Sequence, residues 1–121
     1  LNKLPLLDKH NQRRREIAFR YNKELQDIVN IPYQNKDCVH VYHQYVIQSI
    51  HIDRIKQALA DKGIQSRTYY PTPLNQTPAY KTNQVFPNSQ YAGLNGLAIP
   101  VHQYLTNKEV ALIIKTIRES L

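Results

Sequence analysis

The chain has 121 residues, of which 41% are hydrophobic and 21% are charged, and its formal net charge is +7. This length is common for a single domain with a hydrophobic core, and no apolar run approaches the roughly 20 residues that a membrane span needs. The single cysteine, Cys38, excludes an intramolecular disulfide and a cysteine-rich metal site. We therefore expect one cytoplasmic domain over residues 1–121, and the start at Leu1 without a methionine suggests a fragment.

The positive charge is spread along the chain. Residues 1–31 contain seven Lys or Arg against four Asp or Glu, and the remainder contains nine against five. The one compact basic run is Arg13, Arg14 and Arg15, which fan over about 200° of a helix, so we interpret it as a solvated helix face. The charge and the nine tyrosines leave open an alternative function, a small basic module that binds nucleic acid or a nucleotide without catalysis.

A long amphipathic helix is predicted at the start of the chain. Its apolar residues recur at spacings of three and four or their sums, which is the helical period: Leu4, Leu7, Ile17, Ala18, Tyr21, Leu25 and Ile28. Pro5 is compatible only with the first turn or a bend, and Asn30 with Pro32 is expected to end the helix. We interpret residues 1–31 as a linking helix and residues 32–121 as a small α/β domain.

The middle of the chain predicts a strand, a helix and a second strand. Residues 39–48 are rich in β-branched and aromatic side chains, and alternation places one set on a common face: Val39, Val41, His43, Tyr45 and Ile47. Asp53 is predicted to cap a short helix that ends at Gly63 in the left-handed conformation. Residues 65–70 follow as a strand, which gives a βαβ-like unit.

The last third predicts two helices and one short strand. A helix begins at Pro87 and ends at Asn95 and Gly96, and residues 97–99 form a buried strand. Thr106 and Glu109 have the spacing of a capping box, which starts a final helix. That helix has one apolar stripe: Val110, Ile113, Ile114, Ile117 and Leu121. The predicted class is α/β, with a small sheet of about three to four strands covered by helices.

Several kinds of chemistry are disfavoured by the spacing of residues. His40 and His43 would point to opposite faces of a strand and could not share a metal. The three glycines do not have the spacing of a phosphate-binding loop, and nothing marks Cys38 as an activated thiolate. We therefore predict no metal site, no catalytic residue and no cofactor-binding residue in this chain.

Recognition surfaces remain, and the main one is the loop of residues 69–80. Its three prolines restrict the backbone, and Tyr69, Tyr70 and Asn75 lie on it. On the first predicted strand we add His43 and Gln44, since aromatic faces with polar tips and amide groups suit a sugar or a nucleotide. The alternatives are a proline-rich connector whose tyrosines pack on the core, and a histidine bonded to a neighbouring carbonyl.

Seven pieces of the sequence also form a distinctive ordered set: Arg14 and Arg15 with Tyr21 and Asn22, then residues 41–47, 59–64, 69–75, 78–80, 97–102 and 105–109. In this order they resemble the carboxyl-terminal part of the DegT/DnrJ/StrS sugar aminotransferases, over nearly the whole chain. Members of that family are pyridoxal-phosphate enzymes of the aspartate aminotransferase fold, usually homodimers. They move an amino group from glutamate to a keto sugar attached to a nucleotide.

The resemblance implies that the cofactor site and the walls of the substrate site lie in different parts of the enzyme. In the family the Schiff-base lysine and most cofactor contacts lie in a larger amino-terminal domain, and none of the lysines here matches that motif. Tyr69, Tyr70 and Pro71 match the family's stretch near the sugar nucleotide, whereas Asn75 and Thr77 stand where many members have histidine and glutamine. We therefore expect substrate-site walls, inactivity of the isolated chain, and neither a membrane nor a nucleic acid as partner.

Overall fold

The computed structural model describes residues 2–121 and consists of four helices and two strands. In chain order these are α1 (Leu7–Leu25), β1 (Tyr45–Gln48), α2 (Ile52–Asp61), α3 (Pro87–Asn95), β2 (Gly96–Ile99) and α4 (Asn107–Glu119). Short 3-10 turns lie at Leu4–Leu6, Leu74–Gln76 and Pro78–Tyr80. The predicted α/β class is confirmed, with a long first helix and a small sheet covered by helices.

Helix α1 begins as predicted but ends earlier. Pro5 lies in the 3-10 turn before it, where a missing N–H leaves no helical bond unmade. The expected end at Asn30 is wrong, because the backbone turns after Leu25, whose carbonyl accepts from the N–H groups of Ile28 and Val29 at 3.0 Å each. This turn brings Asn30 beside Gln48, where the two residues exchange backbone hydrogen bonds of 2.9 Å.

The sheet has two strands instead of the predicted three to four. Strand β2 pairs antiparallel with β1, and a single-residue bridge joins its other edge to Arg67. A second bridge joins β1 to Asn30, so four chain segments lie side by side although only two are strands. Residues 65–70 therefore do not form the predicted strand, because their pairing is limited to Arg67 and Ala98.

Strand β1 is also shorter than predicted, because the alternation fails before Tyr45. Val39 and Val41 are exposed, and the inner face retains only Tyr45 and Ile47. Tyr42 has a positive φ of 46° and points inward, where its hydroxyl donates to Gln34 at 2.9 Å. One left-handed residue is enough to break a period of two, because it rotates every preceding side chain relative to the sheet.

The connection through α2 resembles the predicted βαβ-like unit, except that the two segments it joins are not neighbours in the sheet. Strand β1 and Arg67 are both antiparallel to β2, so they run parallel to each other with β2 between them. Gly63 has the predicted left-handed conformation, with φ of +69°. Asp53 is not the cap, because α2 begins at Ile52 with His51 in the N-cap position, two residues earlier than predicted, and no side chain caps it.

Helix α4 closes the core against α1 and α2. The predicted capping box is confirmed: the Thr106 N–H donates to Glu109 at 2.8 Å, and the Glu109 N–H donates to the Thr106 hydroxyl at 3.2 Å. The apolar stripe is buried at Val110, Ile113, Ile114 and Ile117, but Leu121 is partly exposed. Within residues 2–121, no helix is long and apolar enough to cross a membrane.

Two tyrosines join α1 to the sheet inside the core. The rings of Tyr21 and Tyr45 are fully buried, with centroids 5.0 Å apart. The Tyr21 hydroxyl donates to the Pro100 carbonyl at 2.8 Å, and the Tyr45 hydroxyl donates to the Asn22 side chain at 2.6 Å. Burial raises the pKa of both phenols well above the ordinary value, so both remain donors. These bonds fix the backbone that leaves β2 at Pro100.

Candidate functional site

A groove of about 970 Å³, here called the main groove, is formed by residues from several parts of the chain. It lies between the end of β2, the segment after α2 and the start of α4. Three of the five predicted site residues line it: His43, Gln44 and Tyr69. Within residues 2–121 the His43 ring makes no hydrogen bond, so the alternative of a ring bonded to a carbonyl is not observed. These three side chains are therefore gathered on one surface.

Tyr69 also lines a second cavity, of about 530 Å³, together with Tyr70. The two rings meet edge to face with centroids 5.9 Å apart, across a cis peptide bond. Tyr70 is 79% exposed, whereas Tyr69 is half-buried. Tyr69 is thus shared by two adjoining cavities, and Tyr70 belongs to the outer one.

Asn75 is separate from the other predicted residues. It lines a pocket of about 310 Å³ with Tyr80 and Phe86, and its side-chain NH₂ donates to the Gln84 carbonyl at 3.2 Å. The Asn75 carbonyl also accepts from the Thr82 N–H at 3.1 Å. Its amide therefore closes the loop on itself in this structure, and Asn75 lies apart from the groove that His43, Gln44 and Tyr69 share.

The tyrosine loop is held by α3 and by its own hydrogen bonds. A Cβ at Gly93 would lie 3.0 Å from the Pro71 carbonyl oxygen and 3.2 Å from that of Tyr70, so glycine permits this close contact. Within the loop, the Thr77 hydroxyl donates to the Leu74 carbonyl at 2.7 Å. The loop is therefore restrained by its packing against α3 and by its own hydrogen bonds, in addition to its prolines. The spacing of residues in the sequence does not predict these additional restraints.

The arginine run has a structural role that the sequence interpretation missed. Arg13 donates to the Leu105 carbonyl at 2.7 Å and to Asn107 at 2.8 Å. Arg14 donates to Gln103 at 3.3 Å and approaches the His43 carbonyl at 3.5 Å. Both side chains are half-buried, so the interpretation as a solvated face is wrong for them. They fix the segment before α4 and the His43 backbone, which border the main groove.

Arg67 is a further residue that the prediction did not include. Its backbone exchanges hydrogen bonds of 3.0 and 2.7 Å with Ala98, and its guanidinium carbon lies 5.4 Å from the centroid of the Tyr69 ring. The side chain lines the main groove beside Tyr69. The only signal in the sequence was an isolated arginine two residues before the tyrosine pair.

The sequence of this chain also matches the model of a known protein family. The model describes the DegT/DnrJ/EryC1/StrS aminotransferase family and matches residues 1–118. The chain belongs to this family. The resemblance carried by the ordered motifs is therefore confirmed.

One curated relative within the family illustrates the similarity in sequence. The dTDP-3-amino-3,6-dideoxy-alpha-D-galactopyranose transaminase of Aneurinibacillus thermoaerophilus is 29% identical over 118 residues, which are 95% of this chain and 32% of the relative. The chain thus spans about a third of the length of the curated relatives it matches.

Solved structures of the family show the same fold. A DegT DnrJ EryC1 StrS aminotransferase from Brucella abortus matches with a TM-score of 0.92 and 34% identity, over 98% of this chain and 33% of that chain. DesV of S. venezuelae, solved in complex with a ketimine intermediate, matches with a TM-score of 0.90 and 25% identity, over 96% and 33%. The predicted likeness to the small domain of pyridoxal-phosphate aminotransferases is confirmed at the level of fold.

Pyridoxal phosphate is the cofactor of the family, and the residues of this chain do not fit its covalent site. A lysine that forms a Schiff base is normally activated by an apolar pocket or a neighbouring cation. Every lysine within residues 2–121 is exposed, and Lys56 is the one among them that lines the main groove. These residues also contain no group of three or more His, Cys, Asp or Glu that could hold a metal ion.

Proposed function

We propose that this chain is the small carboxyl-terminal part of a cytoplasmic, pyridoxal-phosphate-dependent aminotransferase that transfers an amino group from glutamate to a nucleotide-linked keto sugar. The family match over residues 1–118 carries this proposal. The class of substrate is supported by the name of the curated relative, a transaminase that acts on a dTDP-linked amino sugar. The complete enzyme would act as a homodimer.

We propose that residues 1–31 link the small domain, residues 32–121, to the larger domain. The buried residues of α1 begin at Ile17 and pack in the same core as the small domain. Leu4, Leu6 and Leu7, in the turn before α1 and at its start, expose much of their apolar surface. Exposed apolar residues on an ordered helix are typical of a surface that meets another part of a protein. The first turns of α1 would therefore contact the larger domain.

The contribution of this chain would be to bind and orient the sugar nucleotide. Tyr69 presents a half-buried ring to the main groove, and Gln44 and His43 add hydrogen-bonding groups. Bound in the larger domain, the cofactor supplies the electron sink, while protein side chains supply position and electrostatics. Tyr70 and Asn75 would shape the adjoining cavities, on the outer side of the same loop.

Titration of the isolated chain with pyridoxal phosphate tests the absence of a cofactor lysine. We expect no stoichiometric visible absorbance band of a lysine adduct, since all lysines of residues 2–121 are exposed and none has an activating pocket. Lys56→Gln is the control for incidental labelling in the main groove. A stoichiometric adduct, trapped on one lysine by borohydride and located by mass spectrometry, would contradict the proposal.

Activity is tested in the enzyme that contains this chain. With glutamate and a nucleotide-linked keto sugar, 2-oxoglutarate should form in proportion to the amino sugar. Failure with every such sugar would refute the substrate class. The rival function, nucleic-acid binding, is disfavoured because Arg13 and Arg14 are engaged within the protein. A salt titration against single-stranded and duplex oligonucleotides tests this rival, and the absence of any affinity at low salt, where such binding is strongest, would eliminate it.

A further inference from the structure

We propose that Arg67 and Tyr69 form a subsite in the main groove for an oxyanion, either a phosphate or a carboxylate of the ligand. Arg67 is exposed and lines this groove, and no carboxylate within residues 2–121 lies within 4.0 Å of its guanidinium. A cation in a concave surface without a protein counter-ion is a ready partner for an anionic group. The source of that anion rests on the proposed function, but its binding can be measured without catalysis.

The position of the Arg67 side chain is set from two directions. The paired hydrogen bonds with Ala98, of 3.0 and 2.7 Å, fix its backbone at the edge of β2. The Tyr69 ring, with its centroid 5.4 Å from the guanidinium carbon, attracts the cation. A guanidinium held by an aromatic ring keeps its N–H edges available, and these can bind carboxylate or phosphate oxygens in pairs.

The surroundings of Arg67 favour a negative ligand. Lys56 lines the same groove and adds a second positive charge. The one carboxylate among the lining residues belongs to Glu109, and its oxygen already accepts from the Thr106 N–H at 2.8 Å and from the Thr106 hydroxyl at 2.7 Å. Glu109 keeps its negative charge, so the lining carries two lasting positive charges, on Arg67 and Lys56, against one negative charge, and the groove has a net positive charge.

Neutral polar groups beside Arg67 suit the rest of such a ligand. Gln44, Gln65 and Ser66 line the groove and can bond hydroxyl groups. A nucleotide sugar would bring phosphates, whereas an amino donor or a sugar acid would bring a carboxylate. The chemistry that these ligands share is an oxyanion, and the probes below distinguish a phosphate from a carboxylate.

The test uses the whole 121-residue chain and amide NMR titrations with UDP, uridine, glutamate and glucuronate. UDP and uridine differ in their phosphates, so we expect saturable shifts at Arg67 and Tyr69 with UDP and none with uridine. If glutamate or glucuronate produces them instead, the oxyanion is a carboxylate. Either result supports the subsite, provided that Arg67→Gln weakens binding about tenfold, as the loss of a charge-assisted hydrogen bond predicts.

Arg54→Gln is the matched control, since Arg54 is an exposed arginine on α2 that does not line the groove and lies within 4.0 Å of no carboxylate in residues 2–121. It removes the same charge and should leave affinity unchanged, whereas Arg67→Lys should give an intermediate affinity. Equal losses in Arg54→Gln and Arg67→Gln, or no loss in Arg67→Gln, would overturn the proposal. Lack of transaminase activity in the complete enzyme would refute the proposed function but not this result.

Discussion

Each of the two fully buried tyrosines in the core is tolerated because its hydroxyl group has a hydrogen-bond acceptor. Tyr21 and Tyr45 are fully buried, yet each phenol has an acceptor in the Pro100 carbonyl or the Asn22 side chain. A buried polar group without a partner costs about 1–3 kcal/mol, so these pairings are a condition for placing tyrosine there. Among residues 2–121, no buried side-chain N or O atom lacks a partner.

Tyr45→Phe should lower the free energy of unfolding by about 1 kcal/mol, because the Asn22 side-chain oxygen loses the 2.6 Å bond from the phenol. Urea denaturation followed by circular dichroism measures the change. Tyr104→Phe is the matched control, since Tyr104 is 74% exposed and its hydroxyl can bond water. Equal stability of Tyr45→Phe and the parent chain would show that this bond contributes nothing net.

At the scale of the helix and the strand, several features that depend on neighbouring residues were predicted correctly, but the cap at Asp53 and the alternation before Tyr45 were not. The capping box at Thr106, the left-handed Gly63 and the apolar stripe of α4 are properties of a few neighbouring residues, and the structure confirms them. The end of α1 depends on pairing between residues far apart in sequence, Asn30 with Gln48, and the start of β1 depends on the left-handed conformation of Tyr42. No local pattern contains that information.

The same distinction explains what could be predicted of the candidate site. Tyr69 and His43 could be proposed from side-chain chemistry, and both line the main groove. The partners of Arg13 and the position of Arg67 over Tyr69 arise from the tertiary fold, so no local sequence pattern predicts them. The amide of Asn75 suggests a ligand contact, but it donates to the Gln84 carbonyl within its own loop.

Thr106→Ala should destabilise the chain by about 1 kcal/mol, because the first turn of α4 loses its side-chain cap. Thr106→Ser keeps the hydroxyl and should recover most of the loss. Thermal or urea unfolding distinguishes the two variants. A Ser variant as unstable as the Ala variant would indicate that the methyl group, not the cap, provides the stability.

At the scale of the whole molecule, an exposed ion pair joins α4 to the turn that follows α1. Arg118 on α4 makes two bonds of 2.8 Å to the Asp27 carboxylate and a third, of 2.6 Å, to the Glu24 carbonyl. The Arg118 side chain lowers the pKa of Asp27 by hydrogen bonding, and the Thr106 N–H and hydroxyl lower that of Glu109. Both carboxylates thus link stability to pH.

Stability should therefore fall in acid. Because the pKa of each group is lower when folded, its contribution is fully present above the unfolded value, about 4, and is lost as the pH falls through the folded value. Urea unfolding at neutral pH and at about pH 3 measures the loss. Asp27→Asn should flatten this dependence, and the same slope in the variant would exclude Asp27 as a contributor.

The central place of β2 has a consequence for the order in which the chain acquires its structure. Its partners in β1 lie about 50 residues earlier, and Arg67 about 30 residues earlier, than the residues they meet. During synthesis both edges of the sheet emerge from the ribosome before the strand that joins them. The main groove can therefore assemble only after residues 96–99 have been made, and until then β1 has an unpaired edge available to other chains.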